Sequence, residues 1–527
     1  WSLTQKTAVV IGAGIAGLAS ASLLAKAGMK VTVLEARESI GGRAHIWEKD
    51  GFKFDMGPSW YLMPDAFEQF FKLMGTTAEK ELNLVQLDPG YKTIVQGFDE
   101  PVIVRDSLEK NKELFEGIEP GGAKKLDEYV ASAENAYELS LKHFLYTNFK
   151  NTKGFTNSEV LRQAGKFIQL LTTSLDSFAG KYFKDERLKK MLDYPAVFLG
   201  ASPYETPSMY HLMTHVDMNI GVFYPMGGMY TLIEAIERLA LAEGVDIHTN
   251  SQVSEILHTG DKATGVKVGD VEYHADVVVG SADLHHVETK LLPREKQTFK
   301  QSFWDKKTPG PSALLVYLGI KGKIDQLEHH TLFFTDDWKS GFKEVFAKAD
   351  GNRKIPEPAN MYVCMPSKTD PSVAPEGYEN VFILVPTAAD PSLGSGGLNG
   401  EGDDSLEKTA DRIIDQLGDW AGIENLRERV VVRRTVGPQD FVNEFNAWSG
   451  TALGMAHTLR QSAFFRPQNR SKKLKNLFYS GHNTIPGIGL PMCLIGAELV
   501  YKHLTDDSTN GPIERELEKL DSWKGLG

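Results

Sequence analysis

Three glycines near the start of the chain have the spacing of a site that binds a dinucleotide through its diphosphate. Gly12, Gly14 and Gly17 follow an apolar run at 8–11 with the spacing G-x-G-x-x-G. The first glycine allows a tight turn, the second lets backbone approach a diphosphate at a helix N-terminus, and the third lets helix and strand pack closely. Glu35 lies where a carboxylate can accept hydrogen bonds from both ribose hydroxyls. These residues predict binding of an adenine dinucleotide.

Such a site requires a strand, a glycine turn, a helix and a second strand in that order. The run at 8–11 predicts the first strand, the leucines from Leu18 onward predict the helix, and 31–34 predicts the second strand. Because strand, helix and acid are all present, a glycine turn that binds nothing is disfavoured. The same elements argue against the alternative that 8–25 is the apolar stretch of a signal peptide.

A second glycine-rich segment distinguishes a flavin from a nicotinamide cofactor. In Gly41, Gly42 and Arg43, adjacent glycines let more backbone close over a cofactor, and the arginine offers a fixed cation to a diphosphate. Gly57 and Pro58 follow. These segments resemble the signature of the flavoproteins that include amine oxidases, protoporphyrinogen oxidases and carotenoid desaturases. The resemblance implies FAD.

The sequence contains no second dinucleotide fingerprint. The glycine-rich segment 394–400 has the wrong spacing and follows Pro391 rather than a strand, which predicts a loop. Without a nicotinamide site, reduced flavin is expected to pass its electrons to oxygen, a quinone or another diffusing acceptor.

Composition limits the compartment and the partners. The chain has 527 residues and a net charge of −12, which predicts several domains and disfavours a nucleic acid partner. Cys364 and Cys493 form no C-x-x-C, so we expect a reducing, cytoplasmic environment. The pair His329-His330 lacks metal-ligand spacing with a cysteine or a second histidine motif, so no metal is predicted. Because Trp1 stands in place of Met, the natural start is expected to be trimmed or altered.

Apolar patterning predicts no membrane span, because the nearest stretch, 485–500, is interrupted by two prolines and Glu498. One amphipathic stripe has helical spacing and lies beside lysines: Phe167, Leu170, Leu171, Leu175 and Phe178. The stripe suits a helix at the membrane interface, but the favoured alternative is a helix packed on the core.

Alternating patterns predict an α/β fold in which a Rossmann-type FAD-binding domain is interleaved with an α+β substrate domain. The helical patterns include 123–146, 158–192 and 230–242, and a hairpin is predicted within 252–268. Strands at 313–318, 361–365 and 381–385 predict the floor of a substrate sheet. We assign 1–75, 215–300 and 440–510 to the FAD-binding domain, 76–214 and 301–439 to the substrate and membrane-associating domain, and 511–527 to a C-terminal tail.

Two later segments are expected to contact the cofactor. Val253 is predicted on a strand at 252–258 whose backbone meets adenine. The terminal strand and the segment after it are rich in glycine and proline, a backbone that is stiff and lets a planar ring approach closely: Gly481, Gly487, Gly489 and Leu490. His482 and Thr484 lie where this strand is expected to reach the flavin.

The whole chain resembles the bacterial and fungal phytoene desaturase family. The match extends over nearly the full length in GAGIAGL, LEARESIGGRA, GPSWYLMPD, GVFYPMGGMYTLIEAIERLA, HHTLFFTDDW, YVCMPSKTDPSVAPEGYENVFILVP, SGTALGMAHTLRQSAFFRPQNRS and NLFYSGHNTIPGIGLPMCLIGAELV. The resemblance implies FAD-dependent desaturation of a C40 carotenoid hydrocarbon, phytoene to neurosporene or lycopene type products, by a protein attached peripherally to the membrane in which its substrate dissolves.

Catalytic residues are few in such a reaction, because the cofactor accepts the electrons and the protein positions the polyene. Glu159 and Arg162 share a helix face and match an acid-x-x-Arg pair that the resemblance places near the substrate cavity. The favoured alternative is a surface ion pair. Phe464 and Phe465 either line a polyene channel or fill the core.

Other functions remain open at this stage. A carotenoid isomerase or a desaturase of another polyene shares the resemblance, and an amine oxidase shares the cofactor signature. A prenyl-binding chaperone has the same fold without flavin chemistry, but the intact glycines and Glu35 oppose it.

Overall fold

The computed structural model describes residues 4–198 and 200–526. Its strands are β1 Thr7–Ile11, β2 Lys30–Leu34, β3 Ile46–Lys49, β4 Phe52–Asp55, β5 Leu84–Gln86, β6 Tyr91–Val95, β7 Val102–Val104, β8 Phe223–Pro225, β9 Asp246–His248, β10 Glu255–Thr259, β11 Lys262–Val268, β12 Val271–His274, β13 Val277–Gly280, β14 Ser312–Lys321, β15 His330–Phe334, β16 Met361–Cys364, β17 Tyr378–Thr387, β18 Val430–Val436 and β19 Leu477–Tyr479.

The helices lie between these strands, with a helix-rich insertion from α4 to α12. They are α1 Ile15–Lys26, α2 Pro64–Leu73, α3 Ala78–Glu81, α4 Leu108–Ile118, α5 Gly122–His143, α6 Lys153–Thr156, α7 Ser158–Arg162, α8 Ala164–Thr172, α9 Leu175–Tyr182, α10 Glu186–Asp193, α11 Pro195–Phe198, α12 Leu212–His215, α13 Tyr230–Ala242, α14 Leu284–Leu291, α15 Gln301–Asp305, α16 Trp338–Val345, α17 Asp404–Ala421, α18 Pro438–Phe445 and α19 Leu490–Thr505.

A parallel sheet in the order β19-β13-β1-β2-β9 forms the Rossmann-type layer. Its apolar strands are buried on both faces, as parallel strands usually are. Along β1, Ala8 and Val10 pack with helices α1, α13 and α19. Val9 and Ile11 point to the other face, toward the antiparallel sheet β10-β11-β12. This two-layer cover leaves the carboxyl ends of the strands as the edge where a ligand binds.

A mixed sheet in the order β18-β14-β17-β16-β15-β6-β7 forms the second layer. Its longest pairing is antiparallel, from Ser312 opposite Thr387 to Lys321 opposite Tyr378. One face packs on α17, with Leu314, Val316 and Leu318 toward that helix. The opposite face packs on the helix-rich insertion through Leu315 and Tyr317, among other residues. The predicted strands of the substrate sheet are therefore confirmed.

The predicted segments and the two sheets correspond closely. The parallel strands lie within 1–75, 215–300 and 440–510, and the strands of the mixed sheet lie within 76–214 and 301–439. The α/β fold class is confirmed, while the exact boundaries stay predictions. The C-terminal tail assigned to 511–527 packs on the Rossmann layer, because Leu517 and Trp523 are buried with α1 and α19.

One sequence-based expectation is wrong, and one favoured alternative is confirmed. Strand β10 begins at Glu255, so Val253 lies in the loop before it. In the amphipathic stripe, Phe167 and Leu170 of α8 and the equivalent residues of α9 are buried in the core, and of the stripe residues Leu171 is exposed. Helix α9 packs on α5, and the buried side chains of both helices belong to the core of the substrate domain. No helix in the described part of the chain is long and apolar enough to cross a bilayer.

Candidate functional site

The glycine turn joins β1 to α1 with very little space between them. Gly12 has φ +101°, a left-handed conformation that favours glycine, and its N–H donates to the Leu34 carbonyl at 2.9 Å. A Cβ on Gly17 would lie 1.9 Å from the Gly12 carbonyl oxygen. The helix N-terminus can approach the end of the strand only because position 17 has no side chain.

The Gly-Gly-Arg segment closes against this turn. The Gly41 N–H donates to the Ala13 carbonyl at 2.8 Å, and a Cβ on Gly42 would lie 3.0 Å from the Cα of Gly14. A Cβ on Gly57 would lie 2.0 Å from the Arg43 carbonyl oxygen. The backbone therefore forms one cradle at the N-terminus of α1. We call it the glycine cradle, and it consists of residues 12–17, 41–43 and 57.

Glu35 is held at the edge of the glycine cradle by backbone amides. One carboxylate oxygen accepts from Ala13 N–H at 2.8 Å and the other from Arg37 N–H at 2.9 Å. Each oxygen keeps a second lone pair for a ligand hydroxyl. The N–H of Ser251 donates to the Glu35 carbonyl at 2.8 Å, which brings the loop carrying Val253 to this edge. Contact of both residues with the adenosine stays a prediction.

Arg43 places a buried cation beside the cradle. Its Nη1 is buried and has no hydrogen-bond partner, while Nη2 is 3.4 Å from the Thr451 carbonyl. Burial lowers the pKa of the guanidinium, and the nearby carboxylate of Asp283 partly opposes that shift. Asp283 follows β13 and accepts from the N–H of Trp448 at 3.2 Å. A buried, half-satisfied guanidinium is a good partner for a diphosphate oxygen.

The segment after β19 contains two kinds of glycine. Gly481 has φ +135°, and a Cβ there would meet no atom within 4 Å, so the backbone borders open space. At Gly487 a Cβ would lie 2.2 Å from the ring of His457, so this glycine accommodates a histidine, which corrects the expectation that this stretch is unobstructed. Gly489 precedes α19, and Leu490 is buried at its first turn among the side chains of the Rossmann core.

These features fit FAD. Backbone without side chains surrounds the N-terminus of α1, a buried guanidinium nitrogen is unpartnered, and Gly481 borders open space. Glu35 would hold the ribose, the glycine cradle and Arg43 would hold the diphosphate, and the segment from Gly481 to Leu490 would approach the ring. The individual contacts stay predictions.

His482, which the sequence places at the end of the terminal strand, lies near Arg43, and sequence reasoning missed its neighbours Asn483 and Gly454. Burial lowers the pKa of His482 well below its usual value, and the charges of Arg43 and Arg466 lower it further. Asn483 accepts from the N–H of Met455 at 2.8 Å, and a Cβ on Gly454 would lie 2.1 Å from the His482 ring. The segment around Gly454 is distant in sequence from Arg43, and no local motif identifies it as part of the site. The requirement for glycine at 454 is its only sequence signal.

Glu159 and Arg162 lie on α7 without forming an ion pair with each other within the described residues. The Glu159 carboxylate lies 3.7 Å from His143, and Arg162 is exposed with its Nε donating to the Ser158 carbonyl at 3.2 Å. Their catalytic role stays a prediction.

The histidine pair occurs in a setting that its spacing in sequence does not predict. A ring nitrogen of His329, a ring nitrogen of His330 and the sulfur of Cys364 lie within 4.8 Å of one another, and all three residues are buried. The fold therefore brings together three side chains of metal-ligating type although no ligand motif is present in the sequence.

Comparison with known proteins agrees with this geometry. The flavin containing amine oxidoreductase family matches residues 15–499. A carotenoid 3,4-desaturase of Haloarcula japonica is 39% identical over 505 residues, which cover 96% of this chain and 99% of that protein. A zeta-carotene-forming phytoene desaturase of Myxococcus xanthus is 33% identical over 498 residues, covering 94% and 93% of the two chains.

Solved structures show the shared fold. The crystal structure of an oxidoreductase from Methanosarcina mazei superposes with a TM-score of 0.60 at 18% identity, and the match covers 94% of this chain and 100% of that one. This match confirms the predicted fold. The family match and the desaturase relatives confirm the oxidoreductase class and FAD. The chain belongs to the flavin-containing amine oxidoreductase family and, within it, to the phytoene desaturase-like carotenoid desaturases.

Proposed function

We propose that this protein is an FAD-dependent desaturase of acyclic C40 carotenoids, with phytoene as substrate. The observation that carries the proposal is the similarity to carotenoid desaturases along the entire chain, together with a complete glycine cradle. When bound, FAD supplies the chemistry by accepting a hydride from an allylic carbon, after which the polyene loses a proton. Repetition extends the conjugated system.

The interior of the substrate domain suits a hydrocarbon. Between the mixed sheet and the helix-rich insertion, the ring of Trp60 lies 5.7 Å from that of Tyr91 and 5.5 Å from that of Tyr362. The Tyr317 ring stacks on Phe382 at 5.1 Å. A molecule without polar groups can be recognised only by such apolar surface, which also excludes water. These residues orient the polyene and do not take part in electron transfer.

The test is incubation of the FAD-loaded protein with liposomes that carry phytoene. We expect products with red-shifted absorption that chromatography identifies as neurosporene or lycopene. Absence of any red-shifted product, with bound flavin confirmed, would refute the proposal. Putrescine serves as the control substrate, because hydrogen peroxide released on its addition would indicate an amine oxidase instead. A geometric isomer of unchanged conjugation would indicate an isomerase.

A second substrate deserves a parallel assay because the Haloarcula relative, at 39% identity, is a carotenoid 3,4-desaturase. We expect phytoene to be converted faster than lycopene. If only lycopene is converted, and its product has one further double bond at a chain end, the protein is a 3,4-desaturase and not a phytoene desaturase.

Oxygen or a quinone is the electron acceptor in this proposal. Reoxidation of the substrate-reduced protein by each, followed by flavin absorbance in a stopped-flow instrument, separates the two. Reoxidation that occurs only with a nicotinamide cofactor would contradict the proposal.

We propose that the protein is cytoplasmic and binds the membrane surface through an apolar patch on the helix-rich insertion and the segment before Arg466. Within it, Phe464 packs on Phe155 with ring centroids 5.8 Å apart and on Phe465 at 4.2 Å. Its members are among the large apolar side chains that the fold leaves exposed: Phe155, Leu161, Ile168, Leu171, Leu459, Phe464 and Phe465. Exposed aromatic and aliphatic side chains of this kind insert into the interface of a bilayer.

Charge supports a bilayer as the occupant of the apolar patch. Exposed cations lie on the same segments, although the whole chain carries a net charge of −12: Lys150, Lys153, Arg162, Lys166 and Arg460. Basic residues around an apolar patch favour anionic lipid headgroups. Of the stripe on α8 and α9, only Leu171 belongs to this patch, because the other four residues are buried.

Vesicle sedimentation tests the membrane proposal. Replacing Phe464 and Phe465 together by serine should lower partition onto phosphatidylserine vesicles by about tenfold or more, since two aromatic side chains leave the interface. The matched control replaces Leu241 and Val271 by serine, which are exposed apolar residues elsewhere on the chain. Equal binding by both double variants would exclude this patch as the membrane surface.

A further inference from the structure

His329, His330 and Cys364 meet because of strand register. Strand β15 pairs antiparallel with β16, and His330 lies opposite Cys364. His329 precedes the strand at a bend, where its carbonyl accepts the Met365 N–H at 2.8 Å. The bend lets two successive side chains share one space, and their ring centroids lie 4.6 Å apart. A regular strand would place them on opposite faces.

Each imidazole is oriented by a hydroxyl group. Nδ1 of His329 lies 2.7 Å from the Thr369 hydroxyl, and Nδ1 of His330 lies 2.5 Å from the Tyr362 hydroxyl. When Nδ1–H donates to the hydroxyl oxygen, each ring has a lone pair on Nε2.

The two Nε2 atoms are buried, and neither has a hydrogen-bond partner. In that tautomer each Nε2 is a buried acceptor that no hydrogen-bond donor satisfies, and both lie beside the Cys364 thiol. A cation satisfies both acceptors at once. Two imidazole nitrogens and one cysteine sulfur are ligands that zinc prefers, whereas magnesium and calcium require oxygen.

We propose that His329, His330 and Cys364 bind a zinc-class divalent ion. On binding, the S–H bond of Cys364 breaks, its proton passes to solvent, and a bond from sulfur to the ion forms, with no change of oxidation state.

The surroundings complete the site. A cavity beside His329 and Cys364 is also lined by Asp55 and Ser59. The Asp55 carboxylate would reduce the net positive charge of an ion that has one thiolate ligand, and a water can take the fourth tetrahedral position. Thr369 and Tyr362 fix the imidazole orientations from outside the ligand set, as hydrogen-bonding groups do around zinc. The ion would connect β15, β16 and the bend before β15.

The experiment uses full-length, FAD-loaded protein without a histidine tag. After dialysis against a chelator, titration with Co²⁺ should give binding of about one ion per chain, release of about one proton, and the near-ultraviolet band of a cobalt-thiolate bond. Zn²⁺ should abolish that band by competition. The protein as purified should contain zinc by mass spectrometry.

Matched variants separate this site from surface binding. Cys364→Ser should remove the thiolate band and His330→Asn should weaken Co²⁺ binding at least tenfold, while Cys493→Ser should change neither, because Cys493 is buried elsewhere. The same spectrum in Cys364→Ser, or no cobalt-thiolate band in the wild type, would overturn the proposal. If Cys364→Ser fails to fold, X-ray absorption of the zinc-loaded wild type decides, and a coordination shell without sulfur refutes the site.

Discussion

The glycine cradle and the histidine-cysteine cluster are two sites of the same chain that are built in opposite ways. The cradle consists of backbone, and its defining residues lack side chains, as at Gly17 where a Cβ would lie 1.9 Å from a carbonyl oxygen. The cluster consists of side chains, and its ligands come from a bend and a strand more than thirty positions apart, at His329 and Cys364. Substitution should therefore damage the two regions for different reasons.

This contrast teaches where steric and where chemical requirements dominate. In the cradle an added Cβ at Gly17 or Gly57 collides with backbone, which cannot move far. In the interior of the substrate domain, side chains carry charge and hydrogen bonds, so burial changes their pKa values. The following predictions, from the largest effect to the smallest, test whether the contrast holds.

The largest effect is expected at Gly17. Gly17→Ala forces α1 away from β1, which should lower the free energy of unfolding by about 3 kcal/mol and bound flavin by about tenfold. The ratio of flavin to protein absorbance and chemical denaturation measure these losses. The matched control is Gly117→Ala in α4, where a Cβ meets no atom within 4 Å and should stabilise by about 0.5 kcal/mol. If both variants retain flavin equally, the cradle does not require close backbone packing.

The side-chain contribution to the cradle is expected at Arg43. Arg43→Ala should raise the Kd for FAD roughly thirtyfold, about 2 kcal/mol, because its unpartnered Nη1 is then missing from the diphosphate site. Fluorescence quenching of flavin measures the Kd. Arg43→Lys should recover only part of the affinity, since a lysine lacks the planar fork. Arg238→Ala, an exposed arginine paired with Glu81, is the control and should bind FAD normally.

A pH effect on stability is expected in the substrate domain at Asp217. Burial raises the pKa of this carboxyl, which accepts from the Tyr91 hydroxyl at 3.1 Å, to about 8. The folded pKa exceeds the unfolded value, so the folded state binds more protons between them and stability falls as pH rises through this range. Asp217→Asn removes that loss.

Denaturation of Asp217→Asn and wild type at several pH values checks the sign. The advantage of the variant should grow by about 1 kcal/mol or more from about pH 5 to about pH 8. The exposed Asp99→Asn is the control and should follow the wild type at every pH. A constant difference across this range would show that Asp217 is ionised in the folded protein.

The smallest effect is expected at α7. Because Arg162 is exposed and bonds to its own helix, Arg162→Ala and Glu159→Gln should each change kcat on phytoene by less than about threefold. Saturating liposome assays measure kcat separately from vesicle binding. A fall of more than about tenfold in kcat, with vesicle binding unchanged, would support the catalytic role predicted for this pair.

Much of the fold was predictable from local patterns. The helix Tyr230–Ala242 was predicted with its observed bounds, because its apolar period and the preceding glycines are both local signals. Val253 was misplaced on a strand because the pattern cannot distinguish strand from extended loop. The stripe on α8 and α9 shows a further limit, since the same apolar period serves a core face and a membrane face.

By itself the sequence determined the cofactor class, since the requirements of a diphosphate site are spacing and the absence of side chains, which short segments contain entirely. It also determined the two interleaved sheets, because alternation and apolar runs are written along each strand. The tertiary structure alone decided which apolar residues stay exposed, which histidine Gly487 accommodates, and that a bend and a strand bring two imidazoles to one thiol. Those outcomes depend on register and packing between distant segments, which no local pattern specifies.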